Sequence, residues 1–233
     1  DLPKDFGQSS SQTGKVDDIK HDSPRQQDAS DDEASMLRVH IIDVGQGDSI
    51  LIETENKYML IDAGERNKGK IVTDYLDDIG VEKLDYIIAT HPHSDHIGGL
   101  ADVIKHFEVG KIIMPNAVHT SKTYEDLLDT ISEKGLKITK AVAGNEYKLG
   151  KASFVILAPN SSDYDNLNNY SVAVKLINDN NSFIFAGDAE VQSENEMLQN
   201  GINLDADVLK LGHHGSSTGS SKFLDAVSPE IAV

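Results

Sequence analysis

Four potential metal ligands, His91, His93, Asp95 and His96, lie within six residues of this chain. They directly follow an apolar run, residues 86–90, which predicts a buried strand. Alternate residues at an extended strand end point to the same side, so we expect the first two ligands to share one metal and the last two to address a second. We prefer this interpretation to three unconnected surface histidines.

The composition limits the chemistry that such a site can use. The chain has no cysteine, which excludes disulfides and thiolate zinc ligands and leaves nitrogen and oxygen ligands. Its formal net charge of −18 argues against broad binding to nucleic acid, because such binding depends on Lys and Arg neutralising phosphates. Divalent cations reverse the local sign of charge in a pocket. The acidic composition therefore does not exclude a phosphate ester as a substrate bound at a metal centre.

The first 35 residues differ in composition from the rest. They are rich in Ser, Gln, Asp and Lys and lack periodic apolar residues, which predicts a disordered tail or linker at 1–35 and a folded domain at 36–233. No long apolar run occurs, so no transmembrane segment is predicted. The chain starts at Asp1 rather than at a methionine, and we expect a processed chain from which a signal or anchor could have been removed. We therefore favour an extracellular or cell-surface location, with a cytoplasmic one still open.

Apolar runs and their spacing predict the secondary structure. The predicted strands are 39–44, 49–54, 58–62, 86–90, 111–114, 153–157, 172–177, 182–186 and 208–211. The predicted helices are 71–79, 103–107, 124–134, 191–199 and 221–227. Two β-rich halves with flanking helices predict an α/β sandwich of two sheets covered on their outer faces, with the chemistry on loops at strand ends.

Several motifs resemble known families. The segment from His91 to His96 resembles the His-x-His-x-Asp-His signature of the metallo-β-lactamase superfamily, and Asp62 in residues 60–64 resembles the aspartate motif that precedes it there. More narrowly, residues 43–49, 168–172 and 210–216 resemble the hydrolase domain of ComEC-like competence proteins. The resemblance implies an αββα four-layer sandwich of the metallo-β-lactamase type.

The resemblance also implies roles for individual residues. Asp188 would bridge two divalent metal ions, zinc or manganese, and a histidine after the last strand would be a further ligand. His214 fits that position best, and His213 would then face the substrate as an acid or oxyanion stabiliser, although the reverse assignment stays open. The implied ligand set is His91, His93, Asp95, His96, Asp188 and His214.

Other residues are expected near the substrate. Lys210, like His213, would steady developing charge, and Asp95 would serve the chemistry as well as the metal. The resemblance suggests that the pocket is lined by Asp43, Gln46, Asp48, Asn169 and Ser171. For Asp43, Gln46 and Asp48, an equally favoured alternative to a pocket role is that they stabilise a turn beside two glycines.

The chain departs from the family patterns at two places. Many superfamily members place a further metal-binding histidine between the second motif and the bridging aspartate, where this chain has only His106 and His119. We interpret both as structural or surface residues, which leaves open positions on the first metal, as catalysis requires. The ComEC-like pattern also normally continues beyond the position of Val233, so we expect the last C-terminal elements of the fold to be lacking.

These observations predict a binuclear metal-dependent hydrolase. Two metals about 3.5–4 Å apart lower the pKa of a bridging water to about 7 and hold both oxygens of a phosphodiester. We therefore predict a phosphodiesterase or nuclease whose substrate is a phosphoester, with DNA or a nucleotide as candidates. A thioester or lactam hydrolase is the alternative, which the missing histidine disfavours. A metal-binding domain without turnover is disfavoured, because Asp95, Asp188 and His214 are all present.

Overall fold

The computed structural model describes residues 36–216 and 218–233, so the tail predicted at 1–35 and Ser217 lie outside the described residues. The strands are β1 (Arg38–Ile41), β2 (Ile50–Thr54), β3 (Lys57–Ile61), β4 (Lys83–Ile88), β5 (Glu108–Met114), β6 (Ile138–Lys140), β7 (Glu146–Leu149), β8 (Ala152–Ala158), β9 (Ala173–Asn178), β10 (Asn181–Phe185), β11 (Val208–Lys210) and β12 (Ile231–Ala232). The helices are α1 (Gly69–Asp78), α2 (Ser94–Ile97), α3 (Leu100–His106), α4 (Lys122–Glu133), α5 (Val191–Gln199) and α6 (Ser221–Val227). Two 3-10 turns, Leu167–Tyr170 and Gly212–Gly215, complete the described elements.

The strands form two six-stranded sheets. The first has the order β1-β2-β3-β4-β5-β6, and the second has the order β12-β11-β10-β9-β8-β7. Each sheet is mixed: β1 to β3 are an antiparallel meander, whereas β3 to β6 are parallel because α1, α3 and α4 return the chain between them. In the second sheet β7 to β10 are antiparallel, and β11 and β12 follow in parallel.

Three apolar clusters hold four layers together. The inner faces of the sheets meet in a cluster that includes Ile52, Met59, Phe154 and Leu176. The outer face of the first sheet is covered by α1, α3 and α4, and the outer face of the second by α5 and α6. Burial of each large aliphatic side chain contributes about 1.5–3 kcal/mol to this packing. The predicted αββα sandwich is confirmed.

The sequence prediction failed mainly at edge strands. β6 and β7 were not predicted, because at least half of the side chains of each strand are exposed and neither strand has an apolar run. β12, also unpredicted, is two exposed residues that pair in parallel with β11. None of the described helices combines the length and the apolar character needed to cross a bilayer.

The topology brings several loops to one edge of the sandwich. β3, β4 and β5 are parallel, so the residues that follow them lie side by side. The second sheet reaches the same place through two segments: Val172 N, just before β9, donates to Thr90 O at 2.9 Å, and Asp188, just after β10, lies beside His91. The polar residues of both halves of the chain therefore meet at this edge.

Candidate metal centre

The histidine-rich segment leaves β4 through a bend. β4 ends at Ile88, so His91 and His93 do not lie on a strand, and the prediction that they alternate along a strand end is wrong. The chain instead turns at Pro92 and enters α2, for which His93 is the extended N-terminal residue. This bend brings His91 Nε2 to 2.9 Å from His93 Nδ1, so the two rings still converge.

Two glycines allow the loops of the site to pack against each other. Gly47 has φ +102°, and a Cβ there would lie 1.8 Å from the carbonyl oxygen of Asp95. A Cβ on Gly99 would lie 2.3 Å from the carbonyl oxygen of Ala63. Neither position tolerates a side chain without moving backbone, so both glycines set how closely the loops approach.

Asp62 lies beneath the site and is fully buried, with its backbone in the left-handed region at φ +57°. Its carboxylate accepts hydrogen bonds from Thr90 N at 2.9 Å and Thr90 Oγ1 at 2.6 Å. The same carboxylate lies 2.8 Å from His96 Nδ1. Asp62 therefore orients the His96 ring so that its other nitrogen, Nε2, faces the loops above.

Asp188 is at the centre of the cluster. Its Oδ1 lies 3.2 Å from His96 Nε2 and 3.9 Å from His214 Nε2, and its Oδ2 lies 3.7 Å from His91 Nε2. Asp95 Oδ2 lies 3.9 Å from both His96 Nε2 and His214 Nε2. One carboxylate thus faces three imidazoles that come from both sheets.

The two adjacent histidines of the second sheet point in different directions. Both adopt left-handed backbone, with φ +42° for His213 and +52° for His214, which is uncommon for residues other than glycine. His214 stacks on His96 with ring centroids 5.5 Å apart, whereas His213 Nδ1 lies 3.4 Å from Glu190 Oε1. Each such residue costs on the order of 1–3 kcal/mol, and strain of this kind concentrates at functional sites.

The donor set fits a divalent metal. His96 Nε2 and Asp188 Oδ1 are both buried, and neither has a hydrogen-bond partner, since their 3.2 Å approach is not aligned for a hydrogen bond. Three overlapping groups of described residues have ligand atoms within 4.8 Å of one another: His91 with His96 and Asp188, Asp95 with His96 and His214, and Asp48 with Asp188 and His214. Buried polar atoms without partners are costly unless a ligand satisfies them.

The protonation equilibria point the same way. Burial lowers the pKa of His91 well below its usual value, and burial also lowers the pKa of His93. Burial opposes protonation of His96 as well, but Asp188 and Asp62 outweigh it and raise the pKa of His96 to about 10. Burial alone would raise the pKa of Asp188, but His96 holds it well below the usual range. Neutral His91 and His93 and an ionised Asp188, which these shifts favour, are the protonation states that bind a metal.

Lys210 and Asp48 form an ion pair beside the cluster. Lys210 Nζ lies 2.5 Å from Asp48 Oδ2 and donates to Leu211 O at 3.0 Å. Asp48 Oδ1 is also 3.6 Å from His214 Nδ1. Asp48 is thus brought to the site, whereas Asp43 accepts from Gly45 N at 3.0 Å in an exposed turn.

The other predicted pocket residues occupy different environments. Gln46 is exposed. Ser171 is fully buried, and its Oγ accepts from Asp188 N at 3.0 Å and lies 3.4 Å from His91 Nδ1. Asn169 is also buried, and its Oδ1 accepts from the backbone of Glu190 and Ser193 at the start of α5. Asn169 and Ser171 are thus buried beside the ligands, and their contacts hold the backbone around Asp188.

His106 and His119, like the predicted ligand His93, lie outside the three groups of ligand atoms. His106 ends α3 and forms an exposed ion pair of 2.9 Å with Asp77. His119 is in the loop after β5, with its ring centroid 6.5 Å from that of His93.

The sequence analysis assigned no role to three side chains that orient the site: Asp62, Thr90 and Glu190. It recognised Asp62 only as part of a motif, although a polar residue directly after a buried strand was a signal for a role in the site. Glu190 carries no local signal, because its contacts to His213 and Asn168 join segments that are distant in the chain.

Comparisons with known proteins identify the family of this chain. A family model described as the metallo-beta-lactamase superfamily matches residues 42–233. ComE operon protein 3 of Bacillus subtilis (strain 168) is 31% identical over 215 residues, covering 84% of this chain and 28% of that protein. Exodeoxyribonuclease WalJ of Streptococcus pneumoniae is 46% identical over 56 residues, covering 23% of this chain and 20% of that protein.

The chain spans about a quarter of the length of the curated relatives that match most of it. Among solved structures, CmlA, a diiron beta-hydroxylase from Streptomyces venezuelae, superposes with a TM-score of 0.56 at 14% identity. The match covers 85% of this chain and 44% of that one. At this identity the likeness is one of fold alone, and one fold supports more than one chemistry.

Proposed function

The chain belongs to the metallo-beta-lactamase superfamily, and from that premise we propose that it is a binuclear metal-dependent phosphodiesterase that cleaves nucleic acid. One observation carries the proposal. His96 Nε2 and Asp188 Oδ1 are buried without hydrogen-bond partners where imidazoles and carboxylates of both sheets converge. We assign the ligands as His91, His93, Asp95, His96, Asp188 and His214, with zinc or manganese as the metals.

Divalent metals bound at this donor set would polarise a phosphoryl oxygen and lower the pKa of a water. The chain's own residues hold and orient the site. Asp62 fixes the His96 ring through its Nδ1, and Ser171 fixes the backbone of Asp188. His213, whose side chain is 35% exposed, is placed by Glu190 to donate a hydrogen bond to a substrate oxygen.

An anionic ester suits this site better than a neutral acyl group. The Lys210 ammonium and the His213 imidazole stand beside the ligands and offer donors to phosphate oxygens. The relatives support the same choice, since one of them is named an exodeoxyribonuclease. A thioester or lactam hydrolase of the same superfamily is the alternative, and the assay below separates the two.

The test is hydrolysis of bis-p-nitrophenyl phosphate and of linear DNA by metal-stripped protein resupplied with zinc or manganese. We expect metal-dependent release that Asp188→Asn and His93→Ala each reduce by about a hundredfold or more, since loss of even an outer partner of a metal ligand costs 10–100-fold. His106→Ala is the matched control, because that histidine is exposed and pairs with Asp77 away from the cluster.

Two results would contradict the proposal. Metal binding without turnover of either phosphodiester, together with hydrolysis of a thioester or a lactam, would make the chain an acyl hydrolase. Metal binding with no turnover of any of these substrates would make it a non-catalytic metal-binding domain.

A further inference from the structure

A second cleft, of about 400 Å³, opens along the same edge of the sandwich as the metal centre. Its walls are the loops that follow β5, β6 and β8, together with the residue that ends the 3-10 turn before β9. The polar residues that line it are Asn116, Lys140, Asn160, Ser161, Ser162 and Tyr170. Its volume is in the range of pockets that bind small organic ligands, about 300–1,000 Å³.

Two walls of the cleft are close in the chain to residues that contact the histidine-rich segment. Tyr170 immediately precedes Ser171, whose Oγ lies 3.4 Å from His91 Nδ1. Asn116 follows β5, and Ala89 N, two residues before His91, donates to the β5 residue Ile113 at 3.0 Å. A chain-like substrate bound at the metal centre would therefore meet this cleft as it extends from the centre.

The cleft differs in charge from the rest of the molecule. The chain has 39 Asp and Glu against 21 Lys and Arg, yet no carboxylate occurs among the described residues that line the cleft. Lys140 lies at its rim, is exposed, and forms no ion pair with a described residue. Its full positive charge is thus available to a ligand, and the lining favours an anionic one.

One aromatic ring is held rigidly in the wall. The Tyr170 hydroxyl donates to Ser162 O at 3.2 Å and accepts from Tyr164 N at 3.1 Å. The Tyr170 ring also packs edge-on against the Tyr164 ring, with centroids 4.9 Å apart. The Tyr164 hydroxyl in turn accepts from Asn160 N and Ser161 N at 3.2 and 2.9 Å. A fixed, half-buried ring beside a free cation is the combination that single-stranded nucleic acid binds.

We propose that this cleft binds one nucleic-acid strand next to the phosphodiester that is cleaved. Lys140 contacts a backbone phosphate, Tyr170 stacks against a base, and the neighbouring amides and hydroxyls contact the sugar-phosphate chain. The proposal rests on the proposed function, because it names the substrate of that site as a strand rather than a small ester.

The test is binding rather than turnover. A short fluorescein-labelled single-stranded oligonucleotide is titrated with metal-stripped protein at low salt, and the anisotropy gives the dissociation constant. We expect Lys140→Glu to weaken binding by about tenfold or more, because a backbone phosphate loses its cationic partner. Lys140→Arg keeps the positive charge and should bind as tightly as the unsubstituted protein. The matched control is Lys148→Glu, since Lys148 on β7 is also exposed and lies beside Lys57 and Asp85 at the opposite edge.

Equal weakening by both charge reversals would overturn the proposal, since it would show only general repulsion by the acidic chain. An absence of binding by the unsubstituted protein would overturn it as well. Neither result affects the proposed function, which metal-dependent hydrolysis of bis-p-nitrophenyl phosphate decides. Failure of that hydrolysis together with binding that depends on Lys140 would overturn the catalytic proposal and leave the cleft a strand-binding site.

Discussion

His96 is held from both sides by carboxylates. Asp62 Oδ2 lies 2.8 Å from its Nδ1, and Asp188 Oδ1 lies 3.2 Å from its Nε2. The first contact selects the tautomer with the proton on Nδ1 when His96 is neutral, which leaves Nε2 free to bind a metal. A partner that orients a ligating histidine in this way also raises its basicity.

Asp62→Asn should therefore weaken metal binding without removing a ligand. We expect a 10–100-fold increase in the metal dissociation constant, measured by competition with a chromogenic chelator. Asparagine tolerates the left-handed backbone at φ +57°, so the change tests the carboxylate rather than the turn. Asp85→Asn, which alters a carboxylate bonded to Lys57 and Tyr58 instead, should leave the constant within about twofold. Equal effects of the two substitutions would refute the orienting role of Asp62.

Substitutions of the two adjacent histidines should affect metal binding and turnover separately. His214 faces Asp95 and Asp188, whereas His213 faces Glu190. We expect His214→Ala to lower metal stoichiometry, measured by atomic absorption after dialysis. We expect His213→Ala to retain the metals and to lower kcat by about 10²–10³, the usual effect of losing one donor to developing charge. Loss of metal from His213→Ala with retention by His214→Ala would reverse the assignment.

At the scale of elements, α5 connects the site to the loop that carries the two histidines. Its start is held by Asn169 Oδ1, which accepts from Glu190 N and Ser193 N. One turn later the buried Glu194 carboxylate accepts from Gly219 N at 2.6 Å and Ser220 N at 2.9 Å, just before α6. The helix thus anchors the end of the loop that begins with His213 and His214.

Removing the Glu194 carboxylate should therefore loosen this loop. Glu194→Ala leaves two part-buried N–H groups without acceptors, so we expect the free energy of unfolding to fall by about 1–3 kcal/mol in urea titrations. Glu194→Gln keeps one acceptor and should lower the free energy of unfolding by less. Glu125→Ala, on the exposed face of α4, should change stability by no more than about 0.5 kcal/mol. A Glu194→Ala protein as stable as wild type would show that the loop is held by other contacts.

At the scale of the whole molecule, the ligands come from segments that are far apart in the chain. The histidine-rich segment follows β4 of the first sheet, while Asp188 and His214 follow β10 and β11 of the second. The unfolded chain cannot hold these groups together, so a metal binds the folded state far more tightly than the unfolded one. Ligands that do so raise stability in proportion to the logarithm of their concentration.

Removal of metal should accordingly lower the melting temperature. Metal at about a hundred times its dissociation constant adds about 2.7 kcal/mol, which for a domain of this size is a shift of several degrees by calorimetry. Asp188→Asn should abolish most of this shift, and His106→Ala should preserve it. An identical metal-dependent shift in wild type and Asp188→Asn would show that the stabilising metal lies elsewhere.

The sequence by itself determined the fold class and the chemistry of the ligands. Apolar periodicity is a local property, so it predicted the strands with buried faces and most helices, including Val191–Gln199 and Ser221–Val227 as observed. The clustering of His91, His93, Asp95 and His96 indicated a metal site, because these residue types are close in the chain as well as in space.

Only the tertiary structure decided how these residues are arranged. The bend that brings His91 to His93, the orientation of His96 by Asp62 and the contact of Glu190 with His213 join segments whose spacing in the chain carries no signal. The same holds for edge strands such as β6 and for the cleft beside the metal centre. Their side chains are exposed or contributed by separate loops, and hydrophobic patterning constrains only residues that one element buries on one face.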